Sequence, residues 1–315
     1  MYYIGVDIGG TGIKAGIVTE NGEIICKSSI PTDPNAGCSG FAKAIAELVE
    51  EIVSKASITM EDVKCVGMGC PGTVNDKKGI VTYSNNIDLN NAPLVAEVGK
   101  YIDKPIYINN DANCAALGEY FALNDDKIKD FVAVTLGTGV GGGIVIDGKL
   151  ITGLEGAAGE LGHMVIHMNG EQCTCGRKGC WEAYASATAL IRDTERAAKY
   201  NPKSKLAELV NANGGKANGK IPWDAMLSGD SVGKEIINNY VNYVAEGIVN
   251  IINIFRPQVI AIGGGVSNAG DKLLIPLNDR VDMLYYGNEY INRSEIVIAK
   301  LGNDAGIIGA AFLGK

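Results

Sequence analysis

Three cysteines crowd together as Cys173-x-Cys175-x4-Cys180. Thiols at that spacing hold a metal ion or pair as a disulfide, and the N-terminal MYYIGVDIGG lacks the basic and apolar segments of an export signal. A cytoplasmic, reduced setting and metal binding are therefore expected. Glycine clusters are the second chemical feature: Asp7-Ile8-Gly9-Gly10-Thr11-Gly12-Ile13-Lys14, Gly137-Thr138-Gly139 and Gly263-Gly264-Gly265. A glycine turn lets backbone N–H groups face phosphate oxygens without a side chain between, while Thr11 and Thr138 can add hydroxyls and Lys14 positive charge. Any one cluster is equally a plain hairpin turn. Three, each at a strand end, point to a phosphate ligand.

Two familiar phosphate patterns fail on context. Gly214 to Lys220 reads G-x-x-x-x-G-K, but Ile221 follows where Ser or Thr is needed, and a helical segment precedes it. Gly137, Gly139 and Gly142 satisfy G-x-G-x-x-G, but the strand IVIDG follows in place of a helix. The H-R-D and D-F-G segments of protein kinases are absent.

The elements that must position these residues follow from periodicity. YYIGVDI, IKAGIVT and EIICKSS predict a meander of antiparallel strands over residues 2 to 30. Phe41, Ile45, Leu48 and Ile52 mark an amphipathic helix behind a Ser39 N-cap, and the buried strand VKCVGMG comes next. A helix near 92–103 leads to the strand PIYIN and then to Asn109-Asn110-Asp111-Ala112-Asn113, where the strand hands over to a helix over 112–123. FVAVTLGTGVGGGIVIDGKL repeats the strand, glycine turn, strand order of the N-terminus, which predicts two similar lobes. Helices near 182–200 and 203–212, a surface loop over 212–220, a long helix from 231 to 255, a strand QVIAIGGGVS and a tightly packed C-terminal helix complete the chain.

Composition narrows the function classes. The chain has 315 residues, 46% of them hydrophobic, enough for a substantial core. A net charge of -8 has the wrong sign for a chain that coats nucleic acid. No apolar run is long enough to span a membrane.

D-x-G-G-T-x-x-K, N-D-A-N, the G-T-G hairpin, G-E-x-G-H and C-x-C-G-x-x-G-C-x-E occur in this order. Together they resemble the ROK family of bacterial sugar kinases and related repressors, over essentially the whole chain. The resemblance implies an α/β, two-lobed ribonuclease-H-like (actin-like ATPase) fold with the ligand cleft between the lobes. Residues 1–110 would form a small lobe on which 302–315 pack back, and 111–301 a large lobe. It further implies an ATP-dependent, Mg²⁺-requiring kinase making glucose 6-phosphate, with a homodimer as the family expectation.

On that resemblance Asp111 is the base toward the sugar 6-hydroxyl, at a strand-to-helix junction where the helix dipole favours carboxylate. Asn110, Glu160, His163 and Glu182 would contact sugar hydroxyls. Asp7 would organise Mg²⁺ near the ATP phosphates, with Gly9, Gly10, Thr11, Lys14, Gly137, Thr138, Gly139, Gly263, Gly264 and Gly265 holding the nucleotide. Gly72, in Cys70-Pro71-Gly72, and the segment Asn85 to Leu89 would shape the pocket. His163, Cys173, Cys175 and Cys180 make a closed tetrahedral Zn²⁺ set that pins the loop carrying His163 and Glu182. His167 is not expected as a ligand, and Cys26, Cys38, Cys65, Cys70 and Cys114 read as small apolar residues. A kinase for N-acetylmannosamine, fructose, allose or N-acetylglucosamine remains open. A sugar-sensing repressor would need a DNA-binding domain ahead of the first strand, which begins at Tyr2, and a zinc ribbon would not explain the glycine loops.

Overall fold

A computed structural model describes every residue except Asn85, Asn86, Asn288 and Glu289. Strands β1 (Tyr2–Ile8), β2 (Gly12–Thr19) and β3 (Ile24–Pro31) form the expected antiparallel meander. β1 is buried almost throughout, whereas β3 alternates between half-buried and exposed positions, as befits an inner and an edge strand. Helix α1 (Gly37–Lys55) lays Phe41, Ile45, Leu48 and Ile52 against the core. It starts before Ser39 and has no side-chain cap, so the predicted cap residue lies inside the first turn.

After β4 (Val63–Cys70) come the short ribbon β5 (Thr73–Asn75) and β6 (Ile80–Tyr83), then α2 (Leu94–Val98), β7 (Ile106–Asn110) and α3 (Asp111–Ala122). β4 pairs in parallel with β1 on one side and with β7 on the other, giving the order β3-β2-β1-β4-β7.

The second half runs β8 (Phe131–Leu136), β9 (Val140–Ile146), β10 (Lys149–Leu150), α4 (Glu182–Ala185), α5 (Ala187–Tyr200), α6 (Lys205–Ala212), α7 (Ile221–Leu227) and α8 (Ser231–Phe255). It ends with β11 (Val259–Gly263), α9 (Asp271–Asp282), β12 (Glu295–Ile298) and α10 (Ala305–Ala311). Its sheet has the order β10-β9-β8-β11-β12, with β9 and β10 antiparallel and β11 and β12 parallel. The rank order of the first sheet is thus repeated, and the echo seen in the sequence is a repeat of topology. The helix expected over 182–200 is broken, because the Ser186 side chain accepts from Ala189 N–H and starts a new helix.

The chain forms two compact units. One comprises Met1–Ala133, Gly142–Gly159 and Lys300–Lys315, the other Val134–Gly141 and Glu160–Ala299. This division differs from a boundary at residue 110, because α3 belongs with the first unit, held there by backbone contact with α10. A Cβ on Gly309 would lie 1.6 Å from the Cys114 carbonyl oxygen, so only glycine permits the approach. α10 rests in the same way on β1 and β4 over Gly5 and Gly67. The buried Glu119 carboxylate on α3 accepts from the N–H groups of Lys300 and Leu301, both at 2.8 Å, and fixes the segment leading into α10. In the second unit α8 supplies much of the core through residues such as Ile237, Val241, Val244, Ile248 and Ile252. Among the described residues no helix is long and apolar enough to cross a membrane.

Candidate active site

In the first unit the sheet brings Asp7 and Asp111 to one end. Asp7 is in register with Lys14 on β2 and with Gly69 on β4, while Cys70 pairs with Asn110 on β7. The Asp7 carboxylate lies 3.8 Å from Lys14 Nζ and packs against Gly306, where a Cβ would stand 3.1 Å from its Cγ. The turn between β1 and β2 is fixed by its carbonyls: Gly9 N–H donates to Gly12 O at 2.9 Å, Thr32 Oγ1 donates to Gly9 O at 2.6 Å, and Thr32 N–H donates to Thr11 O at 3.2 Å. Gly10 and Thr11 stay exposed at its tip.

Asn110 is the N-cap of α3. Its Oδ1 accepts from Ala112 N–H at 2.9 Å and Asn113 N–H at 3.2 Å, and its Nδ2 donates to Gly72 O at 2.9 Å. Asp111 is therefore the first helical residue rather than the cap, although its Oδ1 also accepts from Ala112 N–H at 2.9 Å. Burial pushes the Asp111 carboxyl above the ordinary carboxylate range against the pull of these hydrogen bonds. Asp7 is raised as well, first by burial and further by the charge of Asp111, with Lys14 pulling it down. Gly72 holds φ +103 beside Tyr83, in backbone that disfavours any other residue. Of the segment assigned to the pocket, Ile87 and Leu89 are core residues and Asp88 is exposed, while Asn85 and Asn86 lie outside the described residues.

In the second unit a short hairpin builds the cysteine cluster. Cys173 N–H donates to Arg177 O at 2.8 Å and Gly176 N–H to Cys173 O at 3.1 Å, which closes a turn. The returning strand then pairs Cys180 with Val165 and donates Trp181 N–H to Met164 O at 2.7 Å, bringing the turn beside His163. The donor atoms of His163, Cys173, Cys175 and Cys180 all lie within 4.8 Å of one another. Cys173 Sγ is 3.7 Å from His163 Nδ1, and Cys175 Sγ is 3.6 Å from Cys180 Sγ. Ligands of a tetrahedral Zn²⁺, at bonds of about 2.1–2.3 Å, lie about 3.4–3.8 Å apart. The donor set therefore fits zinc, and all four of its members were legible from spacing and resemblance. The sulfurs are too far apart for a disulfide bond. Burial raises the Cys180 thiol to about 12, whereas the Arg177 N–H lowers that of the exposed Cys175. His167 stands apart, with Nδ1 3.3 Å from the Tyr184 hydroxyl.

Gly137-Thr138-Gly139 turns between β8 and β9. Its carbonyls are engaged by the start of α5, since Ala187 N–H donates to Gly137 O at 2.8 Å and Thr188 Oγ1 to Thr138 O at 2.7 Å. Gly264, at φ +81, packs on the Leu136 backbone, so the Gly263–Gly265 turn adjoins this hairpin. Glu182 opens α4, and its Oε2 accepts from Val140 N–H at 3.0 Å. Glu160 is exposed, and its carbonyl accepts from His163 N–H at 3.1 Å.

Sequence reasoning missed Trp181. This fully buried ring stacks where a Gly247 Cβ would come within 2.0 Å, and its Nε1 donates to Tyr243 O at 2.7 Å, anchoring Cys180 and Glu182 on α8. A tryptophan between a thiol ligand and a carboxylate was the available signal. Gly247 gave none, because its partner lies 66 residues away in the chain.

The family model described as the ROK family matches residues 3–315. The chain is 38% identical to a glucokinase of Thermotoga maritima over 99% of this chain and 96% of that one, and 37% identical to a glucokinase of Halalkalibacterium halodurans over 100% and 95%. It superposes with a TM-score of 0.78, at 36% identity and 99% coverage of both chains, on a ROK family glucokinase from Streptomyces griseus in complex with glucose and AMPPNP. The fold expected from the motifs, α/β and two-lobed like the actin-like ATPases, is the fold of this chain. With the boxes, the repeated sheet order and these full-length matches in agreement, the chain belongs to the ROK family.

Proposed function

We propose that this chain is an ATP-dependent hexose kinase that transfers the γ-phosphoryl group of ATP to the 6-hydroxyl of glucose. The observation that carries the reading is Asp111, a half-buried carboxylate at the first turn of a helix that Asn110 already caps. A carboxylate with one oxygen on Ala112 N–H and its other oxygen not needed for the cap, and with its proton affinity raised by burial, suits the removal of a hydroxyl proton.

In this reading the sugar O6 forms a bond to the γ-phosphorus, the bond from phosphorus to the ADP oxygen breaks, and the hydroxyl proton passes to Asp111. Asn110 retains one amide hydrogen beyond its bond to Gly72, which can meet a sugar hydroxyl. Glu160, His163 and Glu182 supply the directional acceptors and donors that distinguish one polyol from another. Lys14 and the turn from Gly9 to Thr11 would serve phosphate, as would Gly137 to Gly139, where the Gly137 and Thr138 carbonyls accept from the start of α5 and the Gly139 carbonyl from Gly137 N–H, so that they do not repel an anion. Gly263 to Gly265 complete the nucleotide contacts. Asp7 would hold Mg²⁺ directly or through water, and that ion would neutralise charge building between the phosphates. His163 Nδ1 and the thiols of Cys173, Cys175 and Cys180 would hold Zn²⁺, which supplies a fixed cross-link.

A coupled assay of ADP release with ATP, Mg²⁺ and a panel of hexoses tests the reading. Glucose should give the highest kcat/KM. A higher value for N-acetylmannosamine, fructose, allose or N-acetylglucosamine changes the substrate and keeps the chemistry, whereas sugar binding without ADP release removes the kinase assignment.

A further inference from the structure

Glu182 makes more contacts than a sugar ligand needs, all of them inside the second unit. Oε2 accepts from Val140 N–H at 3.0 Å, at the exit of the Gly137–Gly139 turn. Oε1 accepts from Thr174 Oγ1 at 3.3 Å and from Cys173 Sγ at 3.6 Å, on the cysteine hairpin. One rigid carboxylate therefore bridges two loops that the sequence keeps more than thirty residues apart.

Gly139 shows that this bridge is built into the hairpin. A Cβ there would stand 2.3 Å from Glu182 Oε2, closer than any real contact, yet Gly139 is not among the residues at positive φ. The missing side chain leaves room for the carboxylate beside the turn, and a Cβ here would push Oε2 away from Val140. Trp181, locked on α8 next to Glu182, fixes the base from which the side chain reaches out.

The geometry points to Glu182 as a positioning residue that makes the glycine hairpin depend on the metal knuckle. An ion held by Cys173 and its partners would take the thiol proton from Cys173 and fix the turn that carries Thr174; the Thr174 hydroxyl then holds Oε1, and Oε2 holds Val140 and the turn before it. Loss of the ion then loosens a hairpin that contains no ligand of it. By linkage, a nucleotide bound at the hairpin slows metal loss to the same degree that the metal tightens the nucleotide. The inference rests on the zinc and nucleotide assignments above.

Hydrogen–deuterium exchange of residues 137–141 tests it on the full chain, metal-loaded and chelator-stripped, in the wild type, Glu182→Ala and Thr174→Val. In the wild type, stripping should speed Val140 exchange tenfold or more while amides of α8 keep their protection. Glu182→Ala should exchange at the fast rate in both states, because no side-chain oxygen is left to accept from Val140 N–H, and Thr174→Val should lose most of the response to stripping. Release of zinc to a chromophoric chelator should slow when a non-hydrolysable ATP analogue is added to the wild type, and should be indifferent to it in Glu182→Ala. Equal Val140 exchange in loaded and stripped wild type overturns the inference, as does a metal response that survives in Glu182→Ala or a stripped protein whose α8 amides lose protection together with the hairpin. If the ATP analogue protects no residue of the hairpin, the nucleotide assignment fails instead, and the exchange comparison still decides the coupling.

Discussion

Asn110 caps the helix on which Asp111 is the first residue, and the same amide reaches across to the Gly72 carbonyl oxygen at 2.9 Å. The main cap falls to Asn110 and the proposed proton transfer to Asp111, so the two substitutions should act differently.

Asp111→Asn should lower kcat by about 10²- to 10⁴-fold, the usual contribution of a general base, with glucose affinity changed only a few-fold. Asn110→Ala should behave differently. It removes the cap and the tether to Gly72, so it should destabilise the protein by about 1 kcal/mol and raise KM for the sugar more than it lowers kcat. Steady-state kinetics and chemical denaturation on both variants check the split. A mere few-fold drop in kcat for Asp111→Asn would remove it as the base.

The raised proton affinity of Asp111 carries a signed prediction for stability. A carboxyl whose native pKa exceeds its unfolded value of about 3.8 binds more protons in the native state. Its contribution to stability is complete below 3.8 and is lost as pH rises through the raised native value, so the ionised group destabilises the protein at neutral pH. Asp111→Asn should therefore be more stable than the wild type at pH 7, and the gain should shrink as pH falls toward 4. Activity should run the other way, with kcat/KM rising along an acidic limb and reaching a plateau once the base is ionised. Urea midpoints between pH 4 and 7 decide the first point, and a wild type more stable than the variant at pH 7 would contradict it.

The parts of this molecule legible in its sequence are those governed by local rules. The meander of β1 to β3 shows in alternation and turn residues, α8 shows its full span from 231 to 255 through an unbroken apolar period, and the thiol spacing marks the metal set. What stayed hidden depends on distant partners. α9 was not read, since Pro276 interrupts its pattern, and α7 hid behind a polar loop that gave no sign of the helix following it. The grouping of α3 with α10 is not legible either, because Gly309 and Cys114 meet backbone to backbone across nearly two hundred residues. The strand-to-helix junction that carries Asp111 is legible in the sequence, whereas the assignment of the cap to Asn110 needs the side-chain geometry.

The cysteine hairpin should bind one zinc per chain through His163, Cys173, Cys175 and Cys180, and atomic absorption on the purified protein measures it. Cys180→Ser should abolish stoichiometric binding and lower the melting temperature, because the return strand that carries Trp181 depends on that crossing. Cys65→Ser, at a buried thiol remote in sequence from the set, should keep its zinc. Full metal content in Cys180→Ser would exclude the assignment.

Gly247 offers a test of how far Glu182, proposed above to meet the sugar, depends on α8. A methyl group at this position would fall within 2.0–2.4 Å of the Trp181 ring, which is fully buried. Gly247→Ala gains helix propensity of about 1 kcal/mol, but the overpacking should cost more, on the order of 1–3 kcal/mol, so the net effect is destabilising. The displaced ring is joined in sequence to Cys180 and Glu182, so the variant should also raise KM for glucose while leaving the Asp111 proton transfer, and hence the acidic limb of the pH profile, in place. The smaller Trp181→Phe makes room for the methyl but loses the bond to Tyr243 O at 2.7 Å. Combined with Gly247→Ala it should recover part of the stability that either change alone removes. A double variant whose losses simply add would mean that the ring and the glycine do not meet as described.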